Sequence, residues 1–127
     1  MKNGCNIKIL LADIHSYLDS CKTDFDLLTI RTDIHEKIIK MMISFLNIDY
    51  SEIKFIQGSS YQLNNSFTMD LYKFNSICTV SQVKKAGANA VKQNDDPLMT
   101  SLLYPSLQAL DIEYLECDVF LGDINQK

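Results

Sequence analysis

Two short apolar runs, Ile7–Ala12 and Ile53–Gln57, flank a long stretch whose apolar residues recur every three or four positions. That arrangement constrains the fold more than anything else in the chain. Ile7-Lys8-Ile9-Leu10-Leu11-Ala12 is rich in isoleucine and leucine and reads as a buried strand of a parallel sheet. Leu27, Ile30, Ile34, Ile38, Met41, Met42 and Phe45 fall on one apolar face of a helix. The helix is expected to start from Thr23, with Asp24 and Asp26 at its positive end, and to run to about Asn47. Ile53–Gln57 reads as a second strand, ended by Gly58-Ser59-Ser60. Strand, long helix, strand is the crossover unit of a parallel sheet, and such crossovers are right-handed.

The remainder reads mainly as helices. One is expected over roughly Phe67 to Val80, with Leu71, Phe74 and Ile77 inward, and Ser81 is expected to cap another over Gln82 to Gln93. Asp96-Pro97 pairs a cap residue with a first-turn proline and opens a last helix. Pro105 is expected to kink that helix, because proline disfavours helical geometry at Tyr104, and the helix resumes to about Glu116. Val119-Phe120-Leu121 reads as a short third strand closed by Gly122. The fold class is α/β, one domain over residues 1–127.

Composition excludes several classes. With 127 residues, 46% apolar and 22% charged, the chain can bury one core and resembles no disordered, collagenous or disulfide-built protein. It has no apolar run of about 18 residues, so no membrane helix is expected. Met1–Cys5 has no apolar signal core behind it, which points to a cytoplasmic protein. Cys5, Cys21, Cys78 and Cys117 are scattered, and read as free thiols and small buried hydrophobes rather than metal ligands. The net charge of −4 opposes a broad nucleic-acid footprint but permits a local basic patch.

Chemistry concentrates in Leu103–Leu115. At about 100° per residue this segment carries two stripes. Leu103, Leu107, Leu110 and Tyr114 form an apolar one, expected to pack on the sheet. Tyr104, Gln108, Asp111 and Leu115 form a second, which unites a phenol, an amide and a carboxylate. Such a set suits a small ligand with a cationic end and a hydroxyl end, since an amide and a phenol oxygen accept from an ammonium and a carboxylate accepts from a hydroxyl. Asp13–Tyr17 lies at the carboxyl end of the first strand, where open α/β sheets bind ligands.

Ala12-Asp13-Ile14-His15-Ser16-Tyr17-Leu18 is similar to the Ala-Asp-Leu-His-Ala-Tyr-Leu segment of archaeal and eukaryotic tyrosyl-tRNA synthetases. The likeness continues, in order and with family spacing, through Lys54–Gly58, Tyr61-Gln62-Leu63, Lys84–Ala88, Val91–Gln93, Leu102–Pro105 and Leu107–Asp111. It implies a Rossmann-type parallel sheet with flanking helices, part of a class I catalytic domain. It also implies ATP-dependent activation of L-tyrosine and its transfer to tRNA(Tyr), with ATP and Mg2+ as co-substrate. By the resemblance, Asp111 accepts the substrate's phenolic hydrogen, Tyr104, Gln108 and Gln126 hold its α-amino end, and Leu10, His15, Tyr61, Gln62 and Leu115 line the ring pocket. Lys84, Lys85 and Lys92 read as a solvated face or as contacts to the tRNA acceptor arm or a subunit interface. No catalytic residue is assigned, and no metal ligand is implied.

The resemblance places the family's His-x-Gly-His-type motif before this stretch, and its Lys-Met-Ser-Lys-Ser-type loop and anticodon-binding domain after it. The chain is accordingly expected to be an incomplete catalytic core. Gly122-Asp123-Ile124-Asn125-Gln126 departs from the family's Gly-Gly-x-Asp/Glu-Gln at Asp123 and Asn125, two departures that bear on nucleotide binding. Two readings follow. One is the tyrosine-binding part of a tyrosine–tRNA ligase, in a homodimer or assembled with further synthetase portions. The other is a non-catalytic derivative that binds tyrosine, a synthetase subunit or RNA. Either way, the edge of the first strand is expected to lack a neighbour and to invite association.

Overall fold

A computed structural model of the chain describes residues 5–19, 23–51, 53–88 and 96–122. Its elements are strand β1 (Ile7–Leu11), helix α1 (Asp13–Leu18), a 3-10 turn (Phe25–Leu27), helix α2 (Leu28–Phe45), strand β2 (Ile53–Gln57) and helices α3 (Ser59–Gln62), α4 (Asn65–Ile77), α5 (Val80–Gly87) and α6 (Met99–Tyr114). β1 and β2 pair in parallel and in step, from Ile7 opposite Ile53 to Leu11 opposite Gln57. The crossover unit expected from the sequence is therefore present, one residue shorter at the end of β1.

The sheet has two strands among the described residues, not three. Val119–Leu121 forms no strand, and Val119 and Leu121 are exposed. A strand needs a neighbour to take its N–H and C=O groups. Here a cleft lies between β1 and the segment running from Cys117 to Leu121.

The core sits among the helices. Ile14 and Leu18 of α1, Leu28 of α2, Phe67 of α4 and Leu107 of α6 form its buried cluster, with Leu103, Leu110 and Tyr114 packed against it. The apolar stripe of α6 thus packs chiefly on α1, α4 and α5 rather than on the narrow sheet. Ser106, almost fully buried, donates to Asn75 Oδ1 at 2.7 Å and joins α6 to α4.

α2 turns the opposite way from a simple amphipathic reading. Leu28 and Thr32 face inward, Thr32 Oγ1 bonding back to the Leu28 carbonyl at 2.8 Å. Lys40 lies over the Phe55 ring at 5.0 Å while pairing with Glu36. The seven residues of the expected apolar face are all exposed, from 44% for Ile38 to 80% for Phe45. The helix ends two residues early, where Asn47 takes the left-handed conformation at φ 53°.

Other boundaries shift for local reasons. Cys78 and Thr79 are extended and separate α4 from α5. Thr79, not Ser81, caps α5: its hydroxyl accepts from the Gln82 amide at 3.3 Å and Gln82 Oε1 accepts from the Thr79 amide at 2.9 Å, a reciprocal capping box. The part of the expected fourth helix beyond Ala88 lies outside the described residues. α6 runs unbroken through Pro105 and ends two residues before Glu116, which has φ 47°. Lys8 Nζ donates to the Leu115 carbonyl at 2.5 Å, placing a cation at the negative end of α6.

Ile38→Lys is therefore expected to change stability by no more than about 0.5 kcal/mol, as an exposed position should. Leu28→Ala on the inner face should cost about 2–5 kcal/mol. Urea denaturation of both variants checks this, and a large loss from Ile38→Lys would place the outer face in the core. Sedimentation of the unmodified chain is expected to show association that rises with concentration, because among the described residues an apolar helix face is exposed and one edge of β1 has no partner strand.

Candidate functional site

The site is built at the carboxyl ends of the two strands. Asp13, the first residue of α1, is buried and joins three segments. Its Oδ1 accepts from the amides of Ile14 at 2.9 Å and Ser59 at 2.8 Å, and its Oδ2 accepts from Gln57 Nε2 at 2.7 Å. Gly58 lets the chain pass this close: a Cβ there would stand 2.8 Å from Gln62 Oε1 and 3.0 Å from Asp13 Oδ1. This brace fixes His15, on the first turn of α1, against α3, which carries Tyr61 and Gln62. Sequence reasoning gave Asp13 no role of its own. Its signal is an acid at the exit of an apolar strand, where it can accept from the amides of the next turn.

A cleft of about 740 Å³ opens beside β1, within the size range of small-molecule sites. Leu10, His15, Tyr104, Gln108, Asp111 and Leu115 all line it. The stripe residues Tyr104, Gln108 and Asp111 of α6 therefore border one cavity, together with Leu10, His15 and Leu115, three of the expected ring-pocket residues. Tyr61 and Gln62 do not border this cleft. They stand behind Asp111 and bond to it, and Tyr61 lines a separate groove with Lys54, Ser60 and Tyr114. Gln126 lies outside the described residues.

Asp111 is the centre of the site. It is 2% exposed, and its Oδ1 accepts from Tyr61 Oη and Gln62 Nε2, each at 2.7 Å. Oδ2 has no hydrogen-bond partner and lies 3.5 Å from His15 Nε2. Both ring nitrogens of His15 are likewise buried without a bond, and its ring meets Tyr104 edge to face at 4.7 Å. Burial pushes the Asp111 carboxyl above its ordinary range, opposed by the hydrogen bonds from Tyr61 and Gln62 and by His15. Burial holds His15 below the usual histidine value despite the neighbouring Asp111 and Asp13 carboxylates, so the ring is neutral at pH 7. Burial, then the Asp19 and Asp111 charges, also raise the Tyr104 phenol, which stays protonated.

Chemically, one end of the cleft holds a carboxylate oxygen without a partner beside a neutral imidazole. A ligand hydroxyl placed there could donate to Oδ2 and meet a ring nitrogen as well. Gln108 and Tyr104 stand one and two helical turns back along the same stripe, as acceptors for a cationic group. His35, by contrast, is exposed and bonds through Nδ1 to the Arg31 carbonyl, a local contact on α2.

The whole chain, residues 1–127, matches the family model described as tRNA synthetases class I (W and Y). It is 45% identical over all 127 residues to the cytoplasmic tyrosine–tRNA ligase of Gallus gallus, and 38% identical to that of Saccharomyces cerevisiae. It spans 24% and 32% of the lengths of those two proteins. A crystal structure of tyrosyl-tRNA synthetase complexed with L-tyrosine from Archaeoglobus fulgidus superposes with a TM-score of 0.86 at 34% identity, over 98% of this chain and 38% of that one.

Proposed function

The chain belongs to the class I tRNA synthetases of the tryptophan and tyrosine group, and from that premise we propose that it supplies the L-tyrosine-binding part of a tyrosine–tRNA ligase. The single observation that carries this is the unbonded oxygen of buried Asp111, a residue that borders the cleft with Tyr104 and Gln108. A buried carboxylate with one acceptor left over fits a phenolic hydroxyl, whereas phenylalanine would leave it unpaired at a cost of a few kcal/mol. Tryptophan, whose indole N–H donates from a different position on a larger ring, suits that end less well. The structural relative named for its complex with L-tyrosine supports the same choice.

In this reading the side chain of tyrosine enters between Leu10, His15 and Leu115 with its hydroxyl toward Asp111 Oδ2. Its ammonium lies toward Gln108 and Tyr104. The whole ligase would use ATP with Mg2+ to activate tyrosine and would transfer it to tRNA(Tyr) in the cytoplasm, where its named relatives are assigned. Among the described residues no three His, Cys, Asp or Glu side chains are arranged to hold a metal ion. The part of the reaction derived from this chain is selection and orientation of the amino acid by hydrogen bonds.

Calorimetric titration of the chain with L-tyrosine and L-phenylalanine tests the proposal. Saturable binding of tyrosine and none of phenylalanine is expected. Equal binding of the two, or of neither, would remove the hydroxyl-selective role.

A further inference from the structure

We propose that Tyr61 is a positioning residue: with Gln62 it ties off one oxygen of Asp111 and leaves the other to accept from the ligand's hydroxyl. The identity of that ligand rests on the tyrosine-binding reading above.

The geometry is asymmetric. Asp111 Oδ1 has two lone pairs, and Tyr61 Oη and Gln62 Nε2 take both at 2.7 Å. Oδ2 is buried without a hydrogen-bond partner, next to His15 Nε2, on a residue that borders the cleft. An unanchored carboxylate could turn and present either oxygen, and a ligand would have to order it on binding. Here the orientation is set before the ligand arrives. Tyr61 acts through Asp111, since it does not line the cleft itself.

Tyr61 is in turn held by rings. It stacks on Tyr114 at 6.1 Å and 12°, and meets Phe67 edge-on at 5.7 Å. Tyr114 is fixed by its hydroxyl, which donates to Asp70 Oδ2 at 2.9 Å, and Asp70 pairs with Lys73. The phenol of Tyr61 is therefore a rigid donor, and burial keeps it protonated.

A second consequence is electrical. The groups that face Asp111 are His15 and Asp13 from α1, Tyr61 and Gln62 from α3, and Tyr104 from its own helix. Burial favours the neutral acid, and the two donors oppose it. Removing the Tyr61 hydroxyl should let Asp111 take up its proton at higher pH.

The test uses this chain with 13C-labelled aspartate carboxyls, the Asp111 signal being assigned by its absence in Asp111→Asn. In Tyr61→Phe, which keeps the ring stack, the Asp111 carboxyl is expected to titrate at higher pH than in the wild type. Tyrosine affinity at pH 7 should fall about tenfold, the worth of one charge-assisted hydrogen bond, and fall further toward acid. Gln62→Leu should shift the titration in the same direction. An unchanged Asp111 titration in both variants, each shown folded by urea denaturation, overturns the proposal. A shifted titration in a chain that binds no tyrosine even as wild type upholds the positioning role and defeats the tyrosine reading instead.

Discussion

Asp111→Asn is expected to lower L-tyrosine affinity by about a hundredfold or more while making the chain harder to unfold at pH 7. Asparagine has the same shape, and its oxygen still accepts from Tyr61 and Gln62. The other position becomes an amide N–H₂, which offers a donor where the ligand hydroxyl needs an acceptor. Stability moves the opposite way. Burial raises the Asp111 carboxyl in the folded chain, so the folded state holds its proton to higher pH than the unfolded one. The stability linked to that proton is complete below the ordinary aspartate value of about 3.9 and is lost as pH rises through the raised folded value. As pH rises the wild type therefore loses stability with that proton, and the amide variant has no such proton to lose. The gain in urea midpoint should shrink toward pH 4 and below. Wild-type affinity in Asp111→Asn would exclude Asp111 as the hydroxyl acceptor, and a lower midpoint at pH 7 would mean the carboxylate is stabilising.

Phe67→Ala is expected to cost about 3–5 kcal/mol, much of what holds a domain of this size together. Phe67 has no exposed surface and lies in the buried cluster shared by α1, α2, α4 and α6. Its ring meets Tyr114 at 4.8 Å as well as Tyr61. The cavity left by alanine would loosen the platform on which Tyr61 stands, so tyrosine affinity should fall together with stability. Urea denaturation monitored by circular dichroism measures the first effect and titration the second. A loss below about 1 kcal/mol would mean that the cluster can collapse around the gap.

The parts of the fold that could be read in advance are those with a repeating signal. β1, β2 and the long helix between them declare themselves by runs and periods, and Tyr104, Gln108, Asp111 and Leu115 by steps of three and four. What escaped has no such signal. α1 and α3 are six and four residues long, too short for a period to show. The apolar period of α2 gives the existence of a stripe but not its direction, and Leu28 and Thr32 on the other side turned out to face inward. Val119–Leu121 has strand composition, yet pairing depends on a neighbour that composition cannot supply. The bond from Tyr61 to Asp111 joins residues 50 positions apart and follows from the tertiary placement of α3 beside β2 and α4, which no local pattern encodes.

The Asp13 brace has a consequence for how this chain can change over evolutionary time. His15 follows Asp13 by two positions, and Tyr61 follows Ser59 by two, so the imidazole beside Asp111 and the phenol behind it are tied through one carboxylate bridging 46 residues. The intervening loop and α2 are bypassed by that bridge. Insertions, deletions and surface drift in the crossover can then accumulate without moving this pair, whereas a single change at Asp13 or Gly58 would let its two members slide apart.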